Sequence, residues 1–145
     1  MKPTKDKAFL DSNVLVYAFK LGDPRSETAA RLIAGGASLG VQTLNEFVNV
    51  ARRRLSMPWQ NVFKALRAIR FLCPAPAPLT IDTHETAVAI SSRYGYRIYD
   101  SLVIAAALEA GCRTLYSEDL QDGQEIEGLR IRNPFRMGFS PAPKA

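Results

Sequence analysis

Short apolar runs alternate with longer stretches of helical spacing along this chain. Lys7 to Leu10 reads as a short buried strand. Asn13 to Phe19 continues as a helix and stops at Gly22. Asp23-Pro24 has the form of an N-cap with proline at the first helical position. The helix behind it turns Ala29, Ala30, Leu32 and Ile33 inward and ends at Gly35-Gly36. Ala37 to Val41 reads as a second strand.

Thr43-Leu44-Asn45-Glu46 has the spacing of a capping box, and Arg52-Arg53-Arg54 closes the helix it opens, where cations complement the negative end of the dipole. After Met57-Pro58 an amphipathic helix places Trp59, Val62, Phe63, Leu66 and Ile69 on one stripe. The run Cys73 to Pro78, with proline at every second position from 74, is a stiff connector. Leu79 to Ile81 reads as a short strand, and Asp82 and Glu85 sit in the opening of a helix that runs to about Arg93. Ser101 to Ala110 is apolar nearly all round, the pattern of a buried helix, with Gly111 at its end. Arg113 to Tyr116 and Leu129 to Ile131 supply the last strands.

Strands alternating with helices predict an α/β sandwich on a parallel sheet. No internal repeat or linker interrupts it. The 145 residues suffice for one domain with a real core, expected over 1–139, with the proline-containing 140–145 as a loose tail. Net charge is +5. That favours an anionic partner such as nucleic acid, although a basic enzyme without one has the same charge. Cys73 and Cys112 are far apart and form no CxxC, so a reducing cytoplasm is expected. The polar start of the chain does not resemble a signal peptide, and no apolar run is long enough to span a bilayer, so no membrane partner is expected. A lone His84 excludes zinc sites of several histidines and leaves Ser–His–Asp chemistry resting on that one residue.

The chemistry-bearing residues are acids. Asp11 follows the first strand, Glu46 opens a helix after the second, Asp100 opens the apolar helix, and Asp119 follows the strand Thr114 to Tyr116. Open α/β sheets place ligands beyond the carboxyl ends of their strands. Singly, each acid has a structural explanation: Asp11 and Asp100 as caps, Glu46 as the partner of Thr43, Asp119 in a polar turn. Together they predict a convergence on one rim. Carboxylates 4 Å apart repel by roughly 4 kcal/mol at an effective dielectric near 20. A hard divalent cation, Mg²⁺ or Mn²⁺, relieves that cost with oxygen ligands alone.

This arrangement resembles the PIN domain, a family of metal-dependent ribonucleases. Leu10-Asp11-Ser12-Asn13-Val14-Leu15 is similar to its first acidic motif and Asn45-Glu46 to its second. Tyr99-Asp100-Ser101-Leu102, with the small residues Ala105 to Ala107, resembles the third, and Tyr116-Ser117-Glu118-Asp119 through Gln124 the fourth. Leu129 to Phe135 is similar to the closing strand. At this size the chain resembles the VapC-type toxins of toxin–antitoxin pairs. The resemblance implies a three-layer α/β/α sandwich with a mostly parallel sheet. It implies that Asp11, Glu46, Asp100 and Asp119 bind Mg²⁺, with Mn²⁺ as substitute, and carry catalysis. Asn13 and Ser117 would be polar supports, and Asp122 a further one at a position acidic in part of that family. The reaction implied is hydrolysis of RNA phosphodiester bonds, leaving 5′-phosphate and 3′-hydroxyl ends.

Arg52, Arg53 and Arg54 form either a solvated helix end or an RNA-binding rim beside Glu46. The stripe with Trp59, Phe63 and Leu66 is either core or a groove for a small antitoxin, and a homodimer is expected. Two other phosphoryl-transfer sandwiches fit less well. A haloacid-dehalogenase-like enzyme wants an aspartate at position 13, which is Asn13, and a response-regulator receiver wants an acid after a middle strand, where Val41-Gln42-Thr43 has none. The rival from another class is a PIN-type RNA-binding or scaffolding domain without catalysis.

Overall fold

The computed structural model describes residues 7–136. The expectations for the chain's first six residues, for the domain end at 139 and for the tail 140–145 lie outside them.

Among the described residues four strands form the sheet: β1 (Ala8–Leu10), β2 (Thr114–Tyr116), β3 (Glu125–Ile126) and β4 (Leu129–Arg132). Their order is β1-β2-β4-β3, parallel throughout except for the β3–β4 pair. Among the described residues six helices surround them: α1 (Ser12–Ala18), α2 (Ser26–Ala34), α3 (Val41–Arg53), α4 (Trp59–Leu72), α5 (Ile81–Tyr94) and α6 (Ile98–Glu109). Side chains alternate across the pleat. Phe9, Leu115 and Ile131 pack with Ala87, Ile90 and Leu102 to Ala107 of α5 and α6. Leu10 and Tyr116 pack on the other face with Val14, Leu15, Ala29, Phe47, Val62 and Ile69 of α1 to α4. The result is a three-layer α/β/α sandwich.

Register sets the functional edge. Leu10 stands beside Tyr116, and Tyr116 beside Arg132. The Asp11 N–H donates to the Tyr116 carbonyl (3.0 Å), and the Ser117 N–H to that of Arg132 (3.0 Å). The residues that leave β1 and β2 therefore emerge level with each other at the carboxyl edge of the sheet.

The expected strands at 37–41 and 79–81 are not formed as ladders. Single parallel bridges remain, Phe9 with Ser38 and Gly40 with Ala77. Pro74, Pro76 and Pro78 have no N–H to extend them, and Ile81 instead opens α5 behind a Thr80–Thr83 capping box. The strand pair β3–β4 contains a two-residue strand, Glu125–Ile126, too short for any sequence period.

Three helix starts also differ. Asp23 does not cap α2, whose N-cap is Arg25; its carboxylate instead accepts from the Arg25 N–H (2.8 Å) and guanidinium (2.8 Å). Helix α3 begins at Val41, so Thr43 lies inside it and its Oγ1 accepts from the Gly40 N–H (3.2 Å). Gly40 is placed where a Cβ would stand 3.2 Å from the Phe9 ring, so the start of α3 sits tight on the sheet. Helix α6 begins at Ile98, which puts Asp100 inside its first turn rather than at its cap. Neither Glu46 nor Asp100 is thus used as a helix cap.

The amphipathic stripe of α4 divides. Val62, Ala65 and Ile69 are buried core, whereas Trp59 and Phe63 remain 50% and 59% exposed.

Candidate active site

Asp11 leaves β1 and caps α1, with 5% of its surface exposed. Its Oδ1 accepts from the Ser12 N–H (2.7 Å) and its Oδ2 from the Ser117 hydroxyl (2.8 Å). Ser117 is fully buried at the end of β2. Asn13, in the first turn of α1, ties the two strand ends together. Its Nδ2 lies 3.3 Å from Ser117 Oγ, 3.2 Å from Asp119 Oδ2 and 3.5 Å from Asp11 Oδ2, and its Oδ1 accepts from the Glu118 N–H (3.3 Å). The Asp119 N–H donates to Ser117 Oγ (3.2 Å). Asp11, Asn13, Ser117 and Asp119 therefore form one network.

Glu46 reaches the same region from α3. Its Oε1 is buried and has no hydrogen-bond partner among the described residues. A buried acceptor without a donor is costly. Burial pushes the Glu46 carboxyl up to about 7, helped by the charges of Asp11, Asp100 and Asp119. Asp11 is pushed up to about 6, chiefly by burial. Its bonds from Ser117 and Ser12 oppose the shift, and the charges of Asp119 and Asp100 add to it. The four acids thus share one negative electrostatic field, in which Glu46 Oε1 is the buried carboxylate oxygen left without a donor among the described residues. Asp100 has one cation beside it, the Arg97 Nε at 3.4 Å.

The donor set, all carboxylate oxygen, fits a hard divalent cation. In the arrangement described, no group of three His, Cys, Asp or Glu side chains is gathered tightly enough to hold one ion among the described residues.

The remaining candidates are placed differently. Asp122 does not join this network: its carboxylate accepts from the Asn133 N–H (2.8 Å) and pairs with Arg136, and the Asn133 bond leads in holding it below the usual range. Arg52 donates to the Met57 carbonyl (2.8 Å) and lies over the Trp59 ring at 4.6 Å. Arg53 and Arg54 are exposed at the end of α3. Trp59 and Phe63 stack at 6.2 Å between centroids, and Leu66 is half-buried against the α1–α4 core.

One cluster had no sequence signal. Glu118, between Ser117 and Asp119, accepts from the Tyr17 hydroxyl and pairs with Arg25 at 3.1 Å, and Arg25 also bonds the Tyr17 oxygen at 2.7 Å. Burial, then the bond to Glu118, pushes the Tyr17 phenol up to about 12. These residues pin the loop that carries Asp119. They are scattered over three segments, and only the fold unites them.

The PIN-domain family model matches residues 8–121, from β1 to just past Asp119. The chain belongs to the PIN-domain family. Solved structures share the fold of this PIN domain. VapC20 of Mycobacterium tuberculosis, a sarcin–ricin-loop-cleaving toxin, is 21% identical, with 77% of this chain and 89% of that one covered and a TM-score of 0.61. A toxin–antitoxin complex from Klebsiella pneumoniae gives 18% identity, 90% and 99% coverage and 0.68. FitAcB from Neisseria gonorrhoeae gives 16% identity, 90% and 99% coverage and 0.66. A search of curated protein sequences finds no match. No helix among the described residues is long and apolar enough to cross a membrane.

Proposed function

We propose that this PIN domain is a metal-dependent endoribonuclease, the toxin of a toxin–antitoxin pair, with Mg²⁺ or Mn²⁺ held by Asp11, Glu46, Asp100 and Asp119. The observation that carries the reading is Glu46. It is a carboxylate with a buried, unpartnered oxygen, facing the charge of three further acids. A cation supplies what that oxygen lacks. Closing the four acids on one ion requires side-chain rotation, for which Glu46, free of hydrogen bonds at Oε1, is suited.

When bound, a divalent ion supplies stabilisation of charge on the phosphoryl oxygens and a lowered pKa for attacking water. The chain's own residues do the holding. Ser117 and Ser12 fix both oxygens of Asp11, and Asn13 sets the spacing from Asp11 to Asp119. Arg53 and Arg54 stand at the C-terminal end of α3, seven and eight residues beyond Glu46, a rise of about 10–12 Å along the helix axis, and offer phosphate contacts at that end. The net charge of +5 suits RNA.

The partner face is the exposed edge of α4. Trp59 and Phe63 form an aromatic ledge that is not used by the core, and the relatives of like fold include toxin–antitoxin complexes. A small antitoxin laying an apolar helix there, on a homodimer of this chain, fits the surface.

The test is cleavage of single-stranded RNA. EDTA abolishes it and excess Mg²⁺ or Mn²⁺ restores it if the reading is right. RNA binding with no cleavage under any metal supports the second reading, a scaffolding PIN domain, which the ungathered state of the acids favours.

A further inference from the structure

The first turn of α6 breaks rules that the rest of the helix obeys. Every residue from Ser101 to Ala107 is buried. Yet the Arg97 side chain is 87% exposed and Tyr99 is 63% exposed. Arg97 is the N-cap and makes no side-chain capping bond. Arginine is a poor N-cap, and a cation at that end opposes the helix dipole. Its ion pair with Asp100, this exposed, adds little to stability. Tyr99 makes no hydrogen bond or ring contact among the described residues. Local choices that break the rules with no structural return mark function, and both belong to the turn that carries Asp100.

We propose that Arg97 and Tyr99 grip the RNA strand beside the bond that is cut. The Arg97 guanidinium, already within reach of Asp100, takes a phosphate oxygen. The Tyr99 ring, exposed on the same turn as Asp100 but about 100° round the helix from it, stacks a base further along the strand. A base inside a continuous duplex has both faces covered, so this grip selects RNA with an unpaired base near the scissile phosphate. The inference rests on the ribonuclease reading and names the substrate feature it selects.

The experiment measures Mn²⁺-supported cleavage of one labelled single-stranded RNA and its hairpin-paired counterpart, across a salt series, by the parent and by Arg97→Ala, Tyr99→Ala and Tyr99→Phe. Arg97→Ala is expected to raise KM severalfold and reduce the salt slope by about 1. Tyr99→Ala is expected to raise KM about tenfold and to narrow the preference for the unpaired substrate, while Tyr99→Phe, which keeps the π face, restores both. Thermal stability stays at the parent's level, and Mn²⁺ affinity does not fall in any of the three, since Arg97→Ala removes a cation from beside Asp100 and so favours a bound ion. An active parent whose Arg97→Ala and Tyr99→Ala variants keep KM and salt slope overturns the grip. So does a loss that follows weakened Mn²⁺ binding, since the residues then act through Asp100. A parent that cuts no RNA at all fails the ribonuclease reading first, and the grip with it.

Discussion

The Ser117 hydroxyl donates to Asp11 Oδ2 at 2.8 Å, joining the ends of two parallel strands 106 residues apart in sequence. The bond favours the charged carboxylate against the desolvation that pushes it up. Ser117→Ala therefore raises the Asp11 pKa further above about 6. A lost bond to a charged group costs about 1.5–3 kcal/mol. Carboxyl-carbon NMR titration of Asp11 and denaturant unfolding of the same variant check both effects.

Asp100→Asn removes one charge from the shared field. Glu46 then titrates below about 7, because Asp100 is among the charges that hold it up. Cleavage is lost, while the melting temperature stays equal or rises through relieved repulsion. Only a weak exposed pair with Arg97 is given up. A variant that cuts RNA as well as the parent contradicts the role of Asp100.

Acid stabilises the metal-free protein. Asp11 stands at about 6 against 3.8, and Glu46 at about 7 against 4.5. Between pH 4 and 7 the folded protein holds more protons than the unfolded chain, so stability falls as pH rises. For buried Asp11 the shift corresponds to an upper bound of about 3 kcal/mol. Asp23, held low mainly by its bond from Arg25, and Asp122, held low mainly by the Asn133 N–H, act in the opposite sense, and only below about pH 4. Urea midpoints in EDTA should decline from pH 4.5 to 7.5, and Mn²⁺ at neutral pH should recover the loss. A flat or rising profile in EDTA contradicts the shifts.

The two sides of α4 predict opposite responses. Val62→Asp buries an unpaired charge and abolishes folding. Phe63→Asp, at a side chain 59% exposed, changes stability by less than about 0.5 kcal/mol. It is expected to disrupt self-association instead, read by sedimentation of the chain alone. A soluble Phe63→Asp variant with unaltered association moves the interface elsewhere.

The sequence displayed the sandwich through its periods. The apolar all-round helix 101–110 and the strands at 7–10 and 113–116 were legible because burial on both faces confines polar residues to their ends, Ser101 and Glu109 in the helix and Lys7, Arg113 and Thr114 at the strand starts. Of the four acids, Asp11 and Asp119 follow strand ends as the pattern predicts, whereas Glu46 and Asp100 lie within α3 and α6. Asp11 was readable as the cap of α1, but the starts of α3 and α6 were not, since Thr43 and Asp100 look like caps and lie within helices whose N-caps, Gly40 and Arg97, make no side-chain capping bond. The split of the α4 stripe was equally hidden: Val62 and Phe63 are neighbours in sequence, and only the packing of α1 to α3 decides which is covered. The Tyr17–Arg25–Glu118 support was out of reach for the same reason.

The most direct measurement is titration calorimetry of Mn²⁺ into the parent and into Glu46→Gln at pH 6, in two buffers of different ionisation heat. Asp11 and Glu46, at about 6 and about 7, carry protons there that an ion displaces. The parent is expected to bind with proton release, and Glu46→Gln to bind more weakly by tenfold or more. No binding by the parent, or equal binding with equal proton release in Glu46→Gln, contradicts the proposed metal site.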